Sequence, residues 1–269
     1  MTVQSLPRTL IELRNVTREV RRDVSGSKDK AKRLLTNVTW QLKQGQRVGI
    51  IAGSMQEAHA FLDCAAGIAT PQQGDVLINA NVSWPLGSKG GLPSALSGRQ
   101  NARFLQGVYG HGGRQWQDLD QIQKLADLEE GYFDKPLKSY NKFMRARFNL
   151  AIALVFDFDV YVVPKQFAWK SNATSERLLR LQEALRDRTA GKSILMTNTD
   201  FNFLEQFCDE ALVLNQGSIA YSGSFSECRS WYDANISKAP EDDLEQEQDS
   251  EEGIATTDLE QDILDDALW

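Results

Sequence analysis

Cysteine and histidine are scarce in this chain of 269 residues, with three of the first and two of the second. Cys64, Cys208 and Cys228 are odd in number and nowhere spaced as CxxC, which argues against a disulfide framework and a zinc site and for a reducing compartment. His59 and His111 have no cysteine or carboxylate spacing that would join them into a metal site, so both read as ordinary surface or turn residues. Long apolar runs are missing too. The longest apolar stretch, residues 148–163, is interrupted by Asp157 and Asp159, and the N-terminus has no apolar core of signal-peptide length. The expectation is a cytoplasmic protein whose membrane contact, where it has any, is peripheral.

Basic residues are absent from one stretch altogether. Residues 241–266 hold 13 of the 37 acidic residues and no lysine or arginine, so the rest of the chain carries 30 basic against 24 acidic groups. A mildly basic body suits anionic surfaces, yet MRARF and the cluster Arg14, Arg18, Arg21 and Arg22 lack the interleaved aromatics of a nucleic-acid binder. A solvated or membrane-facing basic surface is the expectation, with no nucleic acid.

What is present is a large apolar fraction, 41%, enough for a sizeable core. Residues 11–20 and the run LLTNVTWQL read as an opening hairpin across the charged turn VSGSKDKAK. RVGII, DVYVV, SILMT and EALVLN are short continuous apolar runs of the kind buried on both faces of a parallel sheet. Helical spacing marks residues 57–66, SGRQNARFLQGVYG, DLDQIQKLADLEE, residues 141–156 and residues 176–188. PQQGDVLINANVSW reads as a second hairpin turning at residues 72–74, and residues 215–217 as the turn of a third. The sum is an α/β core with a parallel sheet, flanked by antiparallel strands. Three regions are expected: a folded body at 1–239, an acidic disordered linker at 240–256, and at 257–269 a short amphipathic docking helix with Leu259, Ile263, Leu264 and Leu268 in one stripe.

QRVGIIAGSMQEAHAF is a strand running into a helix, where a phosphate-binding loop would sit. Three further blocks, SWPLGSKGGLPSALSGRQNARFLQGVYG, YFDKPLKSYNKFMRARFNLAIALVFDFDVYVV and CDEALVLNQGSIAYSG, occur in one register over about residues 11–234. Together they resemble the ATP-binding subunits of ABC transporters that export capsular polysaccharide. The resemblance implies an ABC nucleotide-binding domain, a P-loop NTPase-like α/β fold with an antiparallel β subdomain and a helical subdomain at about 95–150.

The resemblance also places the working positions, and their chemistry is gone. Around Gly53 and Ser54, Ala52, Met55 and Glu57 stand at glycine positions, Ala58 at the lysine, and His59 and Ala60 at the hydroxyl pair. A phosphate loop needs glycines to aim backbone N–H groups, and a lysine for the terminal phosphates. Pro164 and Lys165 stand where a magnesium aspartate and a water-polarising glutamate belong. The switch histidine falls at Thr199, or at Asn198 one residue back; the signature serine and glycine at Asn141 and Phe143; the sensing glutamine within residues 91–93. ATP and magnesium are the family's ligands, and no cofactor is expected here.

The sequence therefore predicts a degenerate subunit homologue that works by protein contact, with an ABC membrane subunit or an active ATP-binding paralogue as partner at the cytoplasmic face of the inner membrane. Simple pairing with a paralogue would leave one composite site without its loop and the other without its signature. The alternative is an active ATPase for polysaccharide export with a rearranged site, in which Lys165 or Lys142 supplies the missing charge. A third reading is a binding module acting through the acidic tail.

Overall fold

The computed structural model describes residues 7–20, 32–88, 91–109 and 115–236. The linker and docking helix expected at 240–269, and His111, lie outside the described residues.

Two sheets share the core. Strands β1 (Thr9–Val20) and β2 (Lys32–Lys43) pair antiparallel, and β4 (Gln73–Ile78) adds to the other side of β1, giving the order β2-β1-β4. The second sheet contains β3 (Arg47–Ala52), β5 (Val160–Val163), β6 (Ser193–Thr197), β7 (Glu210–Asn215) and β8 (Ser218–Ser224), ordered β5-β6-β3-β7-β8. Its first four strands are parallel and β8 closes the edge antiparallel. The continuous apolar runs read from the sequence are these parallel strands. Alternate side chains serve opposite faces: Val48 and Ile50 pack with α1 (Met55–Ala65) and the antiparallel sheet, whereas Ile51, Tyr161 and Met196 pack with the helices of the other layer.

That other layer holds α2 (Gly98–Tyr109), α3 (Gln115–Ala126), α4 (Lys142–Val155) and α5 (Glu176–Thr189), joined by short α6 (Phe201–Glu205) and by α7 (Phe225–Asn235). Helix starts have local causes. Ser97 and Gln100 cap α2 reciprocally, at 2.8 and 3.1 Å. Ser224 and Glu227 form the same capping box on α7. Gly98 is required where it sits, since a Cβ there would lie 2.4 Å from the Tyr140 hydroxyl. No helix among the described residues is long and apolar enough to cross a membrane.

Two expectations fail. Residues 71–84 are not a hairpin: β4 pairs with β1, and Val82 crosses to bridge Val160 of β5 in the other sheet. Gly74, expected in the turn, lies inside β4 at φ +83°, where a Cβ would come within 2.3 Å of the Arg14 carbonyl. The MRARF arginines do not form a surface. Arg147 is buried and donates to the Ala126 carbonyl at 3.0 Å, satisfying an orphan acceptor at the end of α3, and Arg145 is half-buried with its Nη2 on the Leu137 carbonyl. Two residues apart on α4 they leave on different sides, Arg147 reaching the end of α3 and Arg145 the turn before α4.

Candidate functional site

The carboxyl ends of parallel strands are where an open α/β sheet offers a crevice. Here the ends of β3, β5, β6 and β7 bring together Gly53 and Ser54, Pro164 and Lys165, Asn198 and Thr199, and Asn215.

The connection between β3 and α1 is only two residues long, and α1 begins at Met55. Met55 is unlike a glycine in favouring helix, so the segment winds up early. Ser54 holds the N-cap place without a side-chain cap bond, and its carbonyl accepts from the N–H groups of Glu57 at 3.1 Å and Ala58 at 3.3 Å. Two of the amides that would point outward in a phosphate loop are thus turned into the helix. Ala58, at the lysine position, is fully buried against the β1–β2 sheet, and His59 is exposed.

Glu57 is half-buried at the start of α1, and its Oε2 is buried with no hydrogen-bond partner. Burial pushes its carboxyl above the ordinary range, opposed by the Gly217 N–H and the charge of Lys32. Gly217 approaches because Gln216 and Gly217, both at positive φ, turn β7 back into β8 beside β2.

Beyond β5 the chain is held down closely. Pro164 is buried and Lys165 half-buried. Gln166 donates to the Leu86 carbonyl at 3.1 Å, and Gln182 of α5 to the carbonyls of Ala168 and Lys170 at 2.8 and 2.9 Å. Trp169 is buried, stacks on Phe203 at 6.0 Å, and leaves its Nε1 without a partner. Asp200 accepts from the Ser171 N–H and hydroxyl and caps α6 through the Phe203 N–H. Burial opposes its charge, but the bonds from Ser171, Phe203 and Asn202 outweigh burial and hold its pKa below the usual carboxylate value. Of the two candidates for the switch position, Asn198 is buried and Thr199 exposed. Gln182, Asp200 and Ser171 were not singled out from the sequence, where only the short spacing of Asp200 before an apolar turn hinted at a cap.

Asn141 and Phe143 stand apart, at the start of α4. Asn141 caps that helix, accepting from the Met144 N–H at 2.9 Å, and Phe143 is half-buried.

A second feature lies in the helical layer. A cavity of about 510 Å³ is lined by Trp84, Leu92, Leu105, Tyr109 and Ile152, with the buried Asn149 among them. Ile68, in its lining, and Phe104 and Val108, sequence neighbours of the lining Leu105 and Tyr109 on α2, are 57%, 61% and 58% exposed, the largest exposures among the bulky apolar residues described. The WPLG block builds one wall. Leu86 is fixed by the Val162 carbonyl at 2.9 Å, and Trp84 packs on Tyr109 and Phe158.

This architecture is that of the nucleotide-binding domain of ABC transporters. The chain superposes on the ATP-binding cassette MJ0796, solved as a dimer in a post-hydrolysis state with ADP and Pi, at a TM-score of 0.63 and 16% identity, covering 80% of this chain and 99% of that one. In sequence it is a distant homologue of ATP-binding subunits of polysaccharide exporters. It is 29% identical over 179 residues to the polysialic acid transport ATP-binding protein KpsT of Escherichia coli, spanning 66% of this chain and 78% of that protein. It is 23% identical over 206 residues to the capsule polysaccharide export ATP-binding protein CtrD of Neisseria meningitidis serogroup B, spanning 75% and 90%. No family model matches the chain.

Proposed function

We propose that this protein is a cassette subunit of a surface-polysaccharide export system that acts through protein contact and does not hydrolyse ATP. The observation that carries this reading is the start of α1 at Met55, which buries Ala58 and commits the Glu57 and Ala58 amides to Ser54. A magnesium triphosphate does not fit such a loop: it would meet a half-buried carboxylate, too few outward amides and no lysine. Pro164 offers no side-chain oxygen for the metal and Lys165 no base for water.

What remains is a rigid scaffold with an apolar groove. The cavity, lined by Leu105 and Tyr109 of α2, can take a few apolar side chains of a partner helix laid along the exposed Phe104 and Val108 of the same helix, and the kinship to KpsT and CtrD supports a membrane subunit of the exporter as that partner.

Titration calorimetry of the full chain with ATP and magnesium tests the first half of the proposal. No saturable heat up to millimolar nucleotide is expected. Micromolar binding, with magnesium-dependent turnover lost on Lys165→Ala or Lys142→Ala, would overturn it in favour of an active ATPase with a rearranged site.

A further inference from the structure

Arg18 and Lys32 differ from the charged residues around them on the antiparallel sheet. Arg14 pairs with Glu12 at 2.8 Å and Arg33 with Glu19 at 3.0 Å. Arg18 has only the Thr70 carbonyl at 3.2 Å, and Lys32 only the Gln56 Oε1 at 2.9 Å. Among the described residues neither has a carboxylate within ion-pair distance. Both line a cavity of about 270 Å³ between the sheet and α1, walled by Val20, Leu34 and Ala60, with His59 at its edge. The one acid there, Asp63, has its charge disfavoured by burial and offset by His59 and Arg18.

Two cations with no carboxylate among the described residues within ion-pair distance, set around a small apolar depression whose one acid is half-buried Asp63, fit a ligand that is anionic and aliphatic at once. The depression falls short of the roughly 300 Å³ at which small-molecule sites begin. It accommodates one or two aliphatic side chains, which points to an acidic peptide.

Such a peptide is part of this chain. Residues 257–269 place Leu259, Ile263, Leu264 and Leu268 among Asp258, Glu260, Asp262, Asp265 and Asp266. The described chain ends close by: Ile236 Cγ2 lies 3.7 Å from where a Cβ on Gly53 would stand, and Gly53 lies two residues before the helix whose Gln56, His59, Ala60 and Asp63 line the cavity. A random coil of 20 residues, the length of 237–256, has an end-to-end distance of about 25 Å. The 11 residues of α1 extend only about 16 Å. Tethered this way, the segment reaches the surface at an effective concentration on the order of 1 mM, so a contact of about 0.1 mM intrinsic affinity would be mostly closed.

We propose that residues 257–269 dock in cis on the Arg18, Lys32 and His59 surface, with carboxylates on the two cations and one aliphatic side chain in the depression. The inference goes beyond the proposed function and is tested without nucleotide or exporter, so either can fail alone.

The test is zero-length carbodiimide coupling of the full chain at low micromolar concentration, followed by peptide mapping. The expected product joins Lys32 to a carboxylate of residues 258–266 within one chain, at a yield unchanged by dilution. Coupling only between chains, or spread evenly over the surface lysines, would overturn the proposal. In parallel, Arg18→Glu with Lys32→Glu is expected to speed cleavage after Glu260, the one glutamate of the docked segment, by a glutamate-specific protease about tenfold, as fits loss of a contact closed about 90% of the time, with cleavage at the tether glutamates unchanged. Asp258→Lys, Asp262→Lys and Asp265→Lys in that background are expected to restore protection. Unchanged cleavage after Glu260 in a charge-reversed chain whose urea midpoint is intact would sink the idea.

Discussion

Asn198 donates through Nδ2 to the carbonyl of Trp169 at 2.7 Å, and this buried bond ties the end of β6 to the loop that follows β5. The same side chain accepts the Asp200 N–H through Oδ1 at 3.0 Å, so one amide orders two connections. At Asn198, the alternative to Thr199 for the family's switch position, this chain has a structural clamp. Asn198→Ala leaves a buried carbonyl unpaired and is expected to cost about 1–3 kcal/mol in urea unfolding. Thr199→Ala, one residue on and exposed, is expected to stay within about 0.5 kcal/mol. Equal effects would show that the clamp contributes nothing.

Restoring the missing lysine should not restore a site. Ala58 is fully buried against the antiparallel sheet, so Ala58→Lys forces an ammonium into apolar packing or breaks the first turn of α1. A loss of about 2–4 kcal/mol is expected, with no gain of ATP affinity by calorimetry. A stable, nucleotide-binding A58K chain would mean that the loop reopens, and the argument from its helical winding would fall.

Glu57 and Asp200 predict opposite pH responses. Burial raises the Glu57 pKa above 4.5, so the folded state holds its proton longer than the unfolded chain, and stability falls as pH climbs from about 4.5 through the folded value. Glu57→Gln is therefore expected to stabilise the protein at neutral pH and flatten that part of the profile. For Asp200 burial is outweighed by the bonds from Ser171, Phe203 and Asn202, and the pKa lies below 3.8. Its contribution is complete above that value and fades as pH falls through the folded one. Asp200→Asn should lower stability at pH 7 and remove part of the acid limb. Urea midpoints across pH 3 to 8 for both variants check the two signs.

Arg147 gives a prediction about the helical layer. Its guanidinium is buried and reaches the carbonyls of Ala126 at 3.0 Å and Asp127 at 3.4 Å, closing the end of α3. Arg147→Ala is expected to cost about 3 kcal/mol and to raise hydrogen exchange in α3 selectively. Arg147→Lys should recover little, since a point ammonium cannot span two acceptors as a planar fork does.

How much of this could be read from the chain depended on whether the signal was local. RVGII, VYVV and SILMT are unbroken apolar runs because helices cover both faces of their sheet, and that pattern is visible in a few residues. The antiparallel β1–β2 pair and the Asn215 to Gly217 turn were legible for similar reasons. Residues 71–84 were misread because Gly74 looks like a turn, whereas its positive φ serves a bulge against Arg14 and Asn15 that only tertiary pairing explains. Helix α7 had a local signal, Ser224 three residues before Glu227, that was passed over. The early start of α1 was the least legible feature of the site. A substitution at each glycine position tells which chemistry is missing, but not that the freed segment will wind into helix.

The groove in the helical layer separates contact from stability. Phe104 and Val108 are 61% and 58% exposed, so removing them empties no core, and on α2 they are sequence neighbours of Leu105 and Tyr109, which wall the cavity with Trp84. Phe104→Ser with Val108→Ser is expected to leave the urea midpoint within about 0.5 kcal/mol, or to raise it slightly. If the groove seats a helix of the membrane subunit, the same pair should weaken co-purification with that subunit at least about tenfold, the loss of roughly 1.4 kcal/mol expected when two apolar anchors go. Leu105→Ala, which shortens a partly buried side chain in the cavity wall, should weaken both contact and fold. Retained co-purification of the double serine variant would place the contact elsewhere on the molecule and leave the groove without a role in it.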